Sequence, residues 1–200
     1  MDVFNHFSCY TKLPVLLEHV IEHILETQVV ASIDIYALDL DPDFLQGFCW
    51  VYEDRPHNSI NHHLRAKIGY SVHLPNEMAR LVVCKELIHL LDNHMETAQT
   101  AAQVDTLIEE IVLPPEAAVA MIAESDKRGI LLALAVLLPR DTIDELRPKV
   151  EAGEVSIKTI AKHARLPEAF VRVAFSSLWK PVIDGFSLKY PAQRDPQLNL

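Results

Sequence analysis

The sequence predicts an α+β fold in which a small antiparallel sheet and two motif-bearing helices precede an all-helical subdomain. Three observations carry that expectation. Residues 15 to 26 have the apolar spacing of one amphipathic helix, residues 29 to 73 hold short β-prone runs between turn-rich stretches, and from residue 76 onward apolar residues recur at helical spacing. In the first helix Leu16, Leu17, Val20, Ile21, Ile24 and Leu25 form the apolar face, with Glu18, His19, Glu22, His23 and Glu26 on the polar side. The β-prone runs are Val29-Val30, Ile33 to Tyr36, Phe48 to Tyr52 and Ile68 to Val72, with 53 to 63 a loop or hairpin connection. Leu74-Pro75-Asn76 introduces a helix of roughly 76 to 92. A second, roughly 98 to 113, buries Leu107, Ile108, Ile111 and Val112 and stops at Pro114-Pro115, since proline has no N–H to continue the ladder.

The helices that follow, Pro115 to Ala123, Lys127 to Leu138 and Asp141 to Glu151, are marked off by Gly129, Pro139 and Gly153. The last pair, Ser156 to His163 and Pro167 to Leu178, is joined by a tight turn. Its apolar positions Ile160, Ala161, Ala164, Leu166, Val171 and Ala174 have the spacing of a helix-turn-helix, although Arg165 stands where the usual turn glycine would fall.

Bulk properties narrow the function classes. Two hundred residues, half of them apolar, suffice for a real core. A net charge of −10 removes any general attraction to nucleic acid, so DNA contact would need a local basic patch. Cys9, Cys49 and Cys84 are odd in number and lack C-x-x-C spacing, which argues against a disulfide framework and a thiolate zinc site and favours a reducing cytoplasm. The longest apolar run, Ile130 to Leu138, is well short of the ~20 residues that span a bilayer, and the N-terminus lacks the pattern of a secretory signal, so no membrane partner is expected.

The most informative residues are Lys85-Glu86-Leu87-Ile88-His89. They read as the zinc-peptidase signature H-E-x-x-H with lysine at the first ligand. In the intact motif two histidines four apart hold Zn²⁺ and the glutamate activates the metal-bound water. A protonated lysine offers donors and no lone pair, and neutralising it near pH 7 would cost about 4 kcal/mol. Glu86 remains the candidate general base and His89 a candidate ligand.

In its wider context, Arg80-Leu81-Val82-Val83-Cys84-Lys85-Glu86-Leu87-Ile88-His89-Leu90-Leu91 resembles the motif helix of the ImmA/IrrE family of bacterial regulatory metallopeptidases. Val104 to Pro114 is similar to the family's second helix, and Ile157 to Ser177 to its helix-turn-helix region. The match runs from about residue 60 to 180 and implies a zincin-like domain over 1 to 114 and a helical subdomain over 115 to 185, while residues 186 to 200 read as a flexible tail. It also implies a cytoplasmic protein of bacterial or phage setting that acts on, or with, a helix-turn-helix repressor, often by cleaving it in response to stress. The departures fall on the ligands. Counted back from Pro114, the family's acidic ligand falls at Gln103, a neutral amide. With Lys85 and Gln103 at ligand positions only His89 survives, and a rebuilt site would have to recruit Asp92, His94, Asp105 or Glu109.

Two rival constellations carry less. His19-Val20-Ile21-Glu22-His23 matches an inverted H-x-x-E-H signature, but on what reads as a solvated face with no third ligand in sight. His57, His62 and His63 fall in the expected loop. Residues 156 to 180 are basic: Lys158, Lys162, Arg165, Arg172 and Lys180 oppose Glu168 alone, a local balance of +4 against −14 elsewhere.

Three functional expectations follow from these readings. The first is a pseudo-peptidase scaffold that needs no cofactor and binds a protein partner such as a transcription factor. The second is an active zinc peptidase with a rearranged site. The third is a DNA-binding regulator contacting DNA through Lys158, Lys162, Arg165 and Arg172. A homo-oligomer is compatible with each.

Overall fold

The computed structural model describes residues 6–7, 10–43, 45–54, 63–91, 129–181 and 183–184. The expected second motif helix, the helix after Pro115 and the C-terminal tail lie outside them, as do Asp92, His94, Gln103, Asp105 and Glu109. The chain has mixed α and β structure and divides into two compact units, residues 17–133 and residues 1–16 with 134–200. No helix among the described residues is long and apolar enough to cross a membrane.

In the unit spanning 17–133, α1 (Leu17–Glu26) buries Val20, His23 and Ile24. His23 therefore belongs to the apolar face, contrary to the polar side expected for it. The reason is geometric: a residue three after Val20 shares its face of the helix, and the side chain follows the helical period whatever its polarity. The helix closes in a turn at Gln28, whose φ of 59° is left-handed.

Three strands follow: β1 (Ser32–Leu38), β2 (Gly47–Asp54) and β3 (His63–Ser71), in the order β1-β3-β2. β2 runs antiparallel to β3 as expected, with Cys49 opposite Ile68. β1 runs parallel to β3, with Ile35 opposite Ile68, so the sheet is mixed rather than antiparallel. The central position goes to the last strand because β3 carries the fully buried Ala66 and Ile68, which need a neighbour on each side. The inner face is made by Ile33, Ile35 and Ala37, by Ala66 and Ile68, and by Gly47, Cys49 and Val51. On the other face Lys67 lies over the rings of Trp50 and Tyr52, 5.6 and 5.1 Å from their centroids. There a side chain at Gly69 would collide with the Phe48 ring, its Cβ falling 2.4 Å from Cε1.

α2 (Asn76–His89) packs across the inner face against β2 and β3, and α1 packs on α2. It ends at His89, a turn earlier than the pattern suggested; Leu90 and Leu91 continue as a hydrogen-bonded turn to Leu87 and Ile88. Residues 81 to 88 are all buried. A helix apolar nearly all round belongs inside a core, and Lys85 and Glu86 are the charged pair within this run.

In the second unit, residues 134–137 complete a helix that begins at 129, and 134–138 are buried throughout. α4 (Arg140–Glu151), after that helix over 129–137 (α3), starts at Pro139 and ends in a turn at Gly153, whose φ of 75° suits glycine. Buried Thr142 donates from Oγ1 to the Tyr10 carbonyl at 2.7 Å. α5 (Ile157–Ala164) is capped by Ser156, whose Oγ accepts from the Thr159 N–H at 3.1 Å. Arg165 takes the left-handed cap position at φ 54°, and α6 (Glu168–Ala174) follows Pro167. Ile160, Ala161, Ala164, Leu166, Val171 and Ala174 are all buried, as their spacing predicts.

Candidate functional site

The Lys-Glu-x-x-His segment ends α2 with its first two residues in the interior. Lys85 is 7% and Glu86 4% exposed. Neighbouring helix residues point about 100° apart, so the contact between them depends on the length of the lysine stem. Nζ reaches Glu86 Oε1 at 2.9 Å. The distance is that of a close ion pair, yet Oε1 has no hydrogen bond of good angular geometry. Coulomb attraction at this range needs no alignment, so the pair is a charge contact without a directed bond.

Two further elements enclose it. From β2, Gly47 meets α2 so closely that an added Cβ would lie 2.5 Å from Val82 Cγ1 and 3.4 Å from Glu86 Oε1. Two residues on, Cys49 faces the same carboxylate. Burial first, and the Glu86 charge second, push the Cys49 thiol up from 9.0 to about 12. From the start of α3, Gly129 lies over the other side of the motif, where an added Cβ would fall 2.9 Å from Lys85 Cγ and 3.1 Å from His89 Nε2. Only a residue without a side chain lets the α3 backbone approach this closely.

These neighbours decide what the site can do. Zinc chemistry needs lone pairs converging on an open position. Here the first ligand position is an ammonium spent on Glu86, and Gly129 approaches His89 so closely that any side chain there would fall against Nε2. Among the described residues no three His, Cys, Asp or Glu side chains gather at metal-binding distance. A general base must reach its water, and Glu86 is enclosed by β2 and neutralised by Lys85. The described side chains do not fit a catalytic zinc.

Sequence reasoning placed Lys85, Glu86 and His89 on one helix, and the structure brings them together. It missed Gly47, Cys49 and Gly129. Cys49 was weighed only as a disulfide or thiolate ligand and Gly129 only as a helix boundary; the alternation of Cys49 with buried Val51 was the one available sign that it faces inward. His19 and His23 do not form a site, since His19 is exposed and His23 buried. In the other unit Lys158, Lys162 and Arg165 are exposed along one side of α5 and its cap, whereas Arg172 is bound to Glu168 at 2.6 Å. No family model matches the chain, no curated protein matches it and no solved structure matches its fold.

The enclosure has a chemical consequence. Cys84, fully buried, is also raised from 9.0 to about 12, by burial, with Arg80 pulling modestly the other way. Both thiols therefore fold in the neutral form. The stability each contributes is fully present below pH 9 and is lost as pH rises toward about 12, because the unfolded chain gives up those protons first. Denaturant titrations at about pH 7 and about pH 10 should show a loss that is smaller in Cys49→Ala and Cys84→Ala. Alkylation of the native chain should be about a thousandfold slower at both thiols than in the unfolded chain, in line with their thiolate fractions.

Proposed function

We propose that this protein is a non-catalytic regulatory scaffold of the ImmA/IrrE-like kind, which binds a protein partner such as a helix-turn-helix transcription factor without cutting it. The observation that supports the reading is the buried ammonium of Lys85, 2.9 Å from Glu86, carried by the residue that replaces the first histidine of the motif the segment resembles. A dication placed there would meet a positive charge, whereas the lysine supplies the counter-charge that a buried carboxylate requires. On this reading the helix over Asn76–His89 is held by the lysine's charge in place of an ion.

Metal content tests this directly. The purified chain and its Lys85→Ala and His89→Ala variants would be analysed by mass spectrometry and titrated with zinc. Far less than one zinc per chain, with no dependence on His89, is expected. One tightly held zinc lost in His89→Ala would overturn the proposal in favour of a peptidase with a rearranged site. The DNA-binding reading rests on the exposed Lys158, Lys162, Arg165 and Arg172 alone, in a chain whose net charge is −10. Steeply salt-dependent DNA affinity that falls in Arg172→Ala would restore it.

A further inference from the structure

We infer that the outer edge of β1 binds an extended basic and apolar segment of a protein partner by strand addition. β1 pairs with β3 on one side, and no strand among the described residues pairs with its other side. Natural sheets blunt such edges with proline, lysine, a bulge or a short strand. β1 has seven residues, Ser-Ile-Asp-Ile-Tyr-Ala-Leu, with none of the first two devices, and leaves Ile35 and Tyr36 38% and 44% exposed.

Immediately inside this edge lies a mainly apolar groove of about 350 Å³, lined by Ile35 and Ala37 of β1 and by Leu17, Val72, Leu74 and Val83, with Asn76 and Arg80 as the polar part of its wall. Strand addition needs both features: main-chain partners along the edge and a recess for alternate side chains. The two faces of β1 then dictate the incoming pattern. Side chains on the inner face of the added strand would enter the groove and must be apolar. Those on the outer face would lie beside Asp34 and Tyr36, where a lysine or arginine meets a carboxylate and an aromatic ring. The occupant defined by this edge is a segment in which apolar and basic residues alternate.

This surface gives the proposed scaffold its partner and rests on that reading only for its physiological meaning. A fluorescent synthetic peptide alternating lysine with valine would be titrated by anisotropy into the full-length chain. Controls are the same composition in two blocks, and the alternating peptide N-methylated at every second amide, which removes strand hydrogen bonds and leaves the protein untouched. The alternating peptide should bind, with at least about tenfold weaker binding for both controls and for Ile35→Lys and Asp34→Lys. Equal binding of the controls, or no loss in Ile35→Lys, would overturn the inference. So would a dimer of this chain abolished by Ile35→Lys, since the edge would then belong to a second copy. Zinc measured on the same preparations reports separately on the scaffold: peptide binding without metal supports both readings, and stoichiometric zinc overturns the scaffold alone.

Discussion

Replacing Lys85 by methionine is expected to destabilise the chain by about 3–5 kcal/mol, the usual cost of leaving one member of a buried ion pair alone. The methionine keeps most of the apolar stem, so packing against Gly129 is largely preserved. What is lost is the ammonium 2.9 Å from Glu86 Oε1. The carboxylate would then sit 4% exposed, without a hydrogen bond to Oε1 and with the neutral Cys49 thiol nearby. Equilibrium denaturation measures the loss, and a companion variant assigns it. Lys85→Met with Glu86→Leu should recover most of the stability, because an apolar pair of similar volume removes the stranded charge. A deficit that persists in the double variant would mean that the lysine acts through packing alone.

On the proposed reading, lysine does more at position 85 than remove a ligand. A neutral residue there would leave Glu86 buried and unpaired, whereas the lysine places a cation within contact distance and neutralises the carboxylate. Lys85→His should then lose stability unless zinc is supplied, and gain from zinc only if other ligands are at hand.

Much of this was legible in the sequence, and the limits have physical causes. The helices were readable because 3.6-residue periodicity is local: the six apolar positions of α5, α6 and the turn between them are buried as their spacing required, with Arg165 tolerating the left-handed turn in place of glycine. The strands were readable as segments. Their order was not, because a run such as Ser32–Leu38 carries no record of whether its partner lies in a hairpin or across a parallel crossover. His23 was misread because polarity was allowed to outweigh its position three residues from Val20. The motif residues were visible as an anomaly, two charges inside the apolar run from 81 to 88. Their neighbours were not, since Gly47, Cys49 and Gly129 come from distant parts of the chain and signal only that a close approach is permitted.

Gly47→Ala tests whether that close approach holds the site together. The new Cβ would stand 2.5 Å from Val82 Cγ1 and 3.1 Å from the Gly69 carbonyl oxygen, so one obstacle is a buried β-branched side chain and the other the backbone of the central strand. Neither yields easily: Val82 is locked by the core, and moving Gly69 would break the pairing of β2 with β3. The expected cost is about 1–3 kcal/mol of overpacking. It should be felt at the ion pair, because the same Cβ lies 3.4 Å from Glu86 Oε1 and pushes α2 away from β2. Native-state alkylation of Cys49 supplies the second readout, rising as the carboxylate withdraws and the strand loosens. Val82→Ala in the Gly47→Ala background should restore part of the stability, although Val82→Ala alone destabilises by opening a cavity. That reversal of sign in a double-mutant cycle would assign the strain to the contact between Gly47 and Val82, whereas simple additivity would show that α2 and β2 have room to separate.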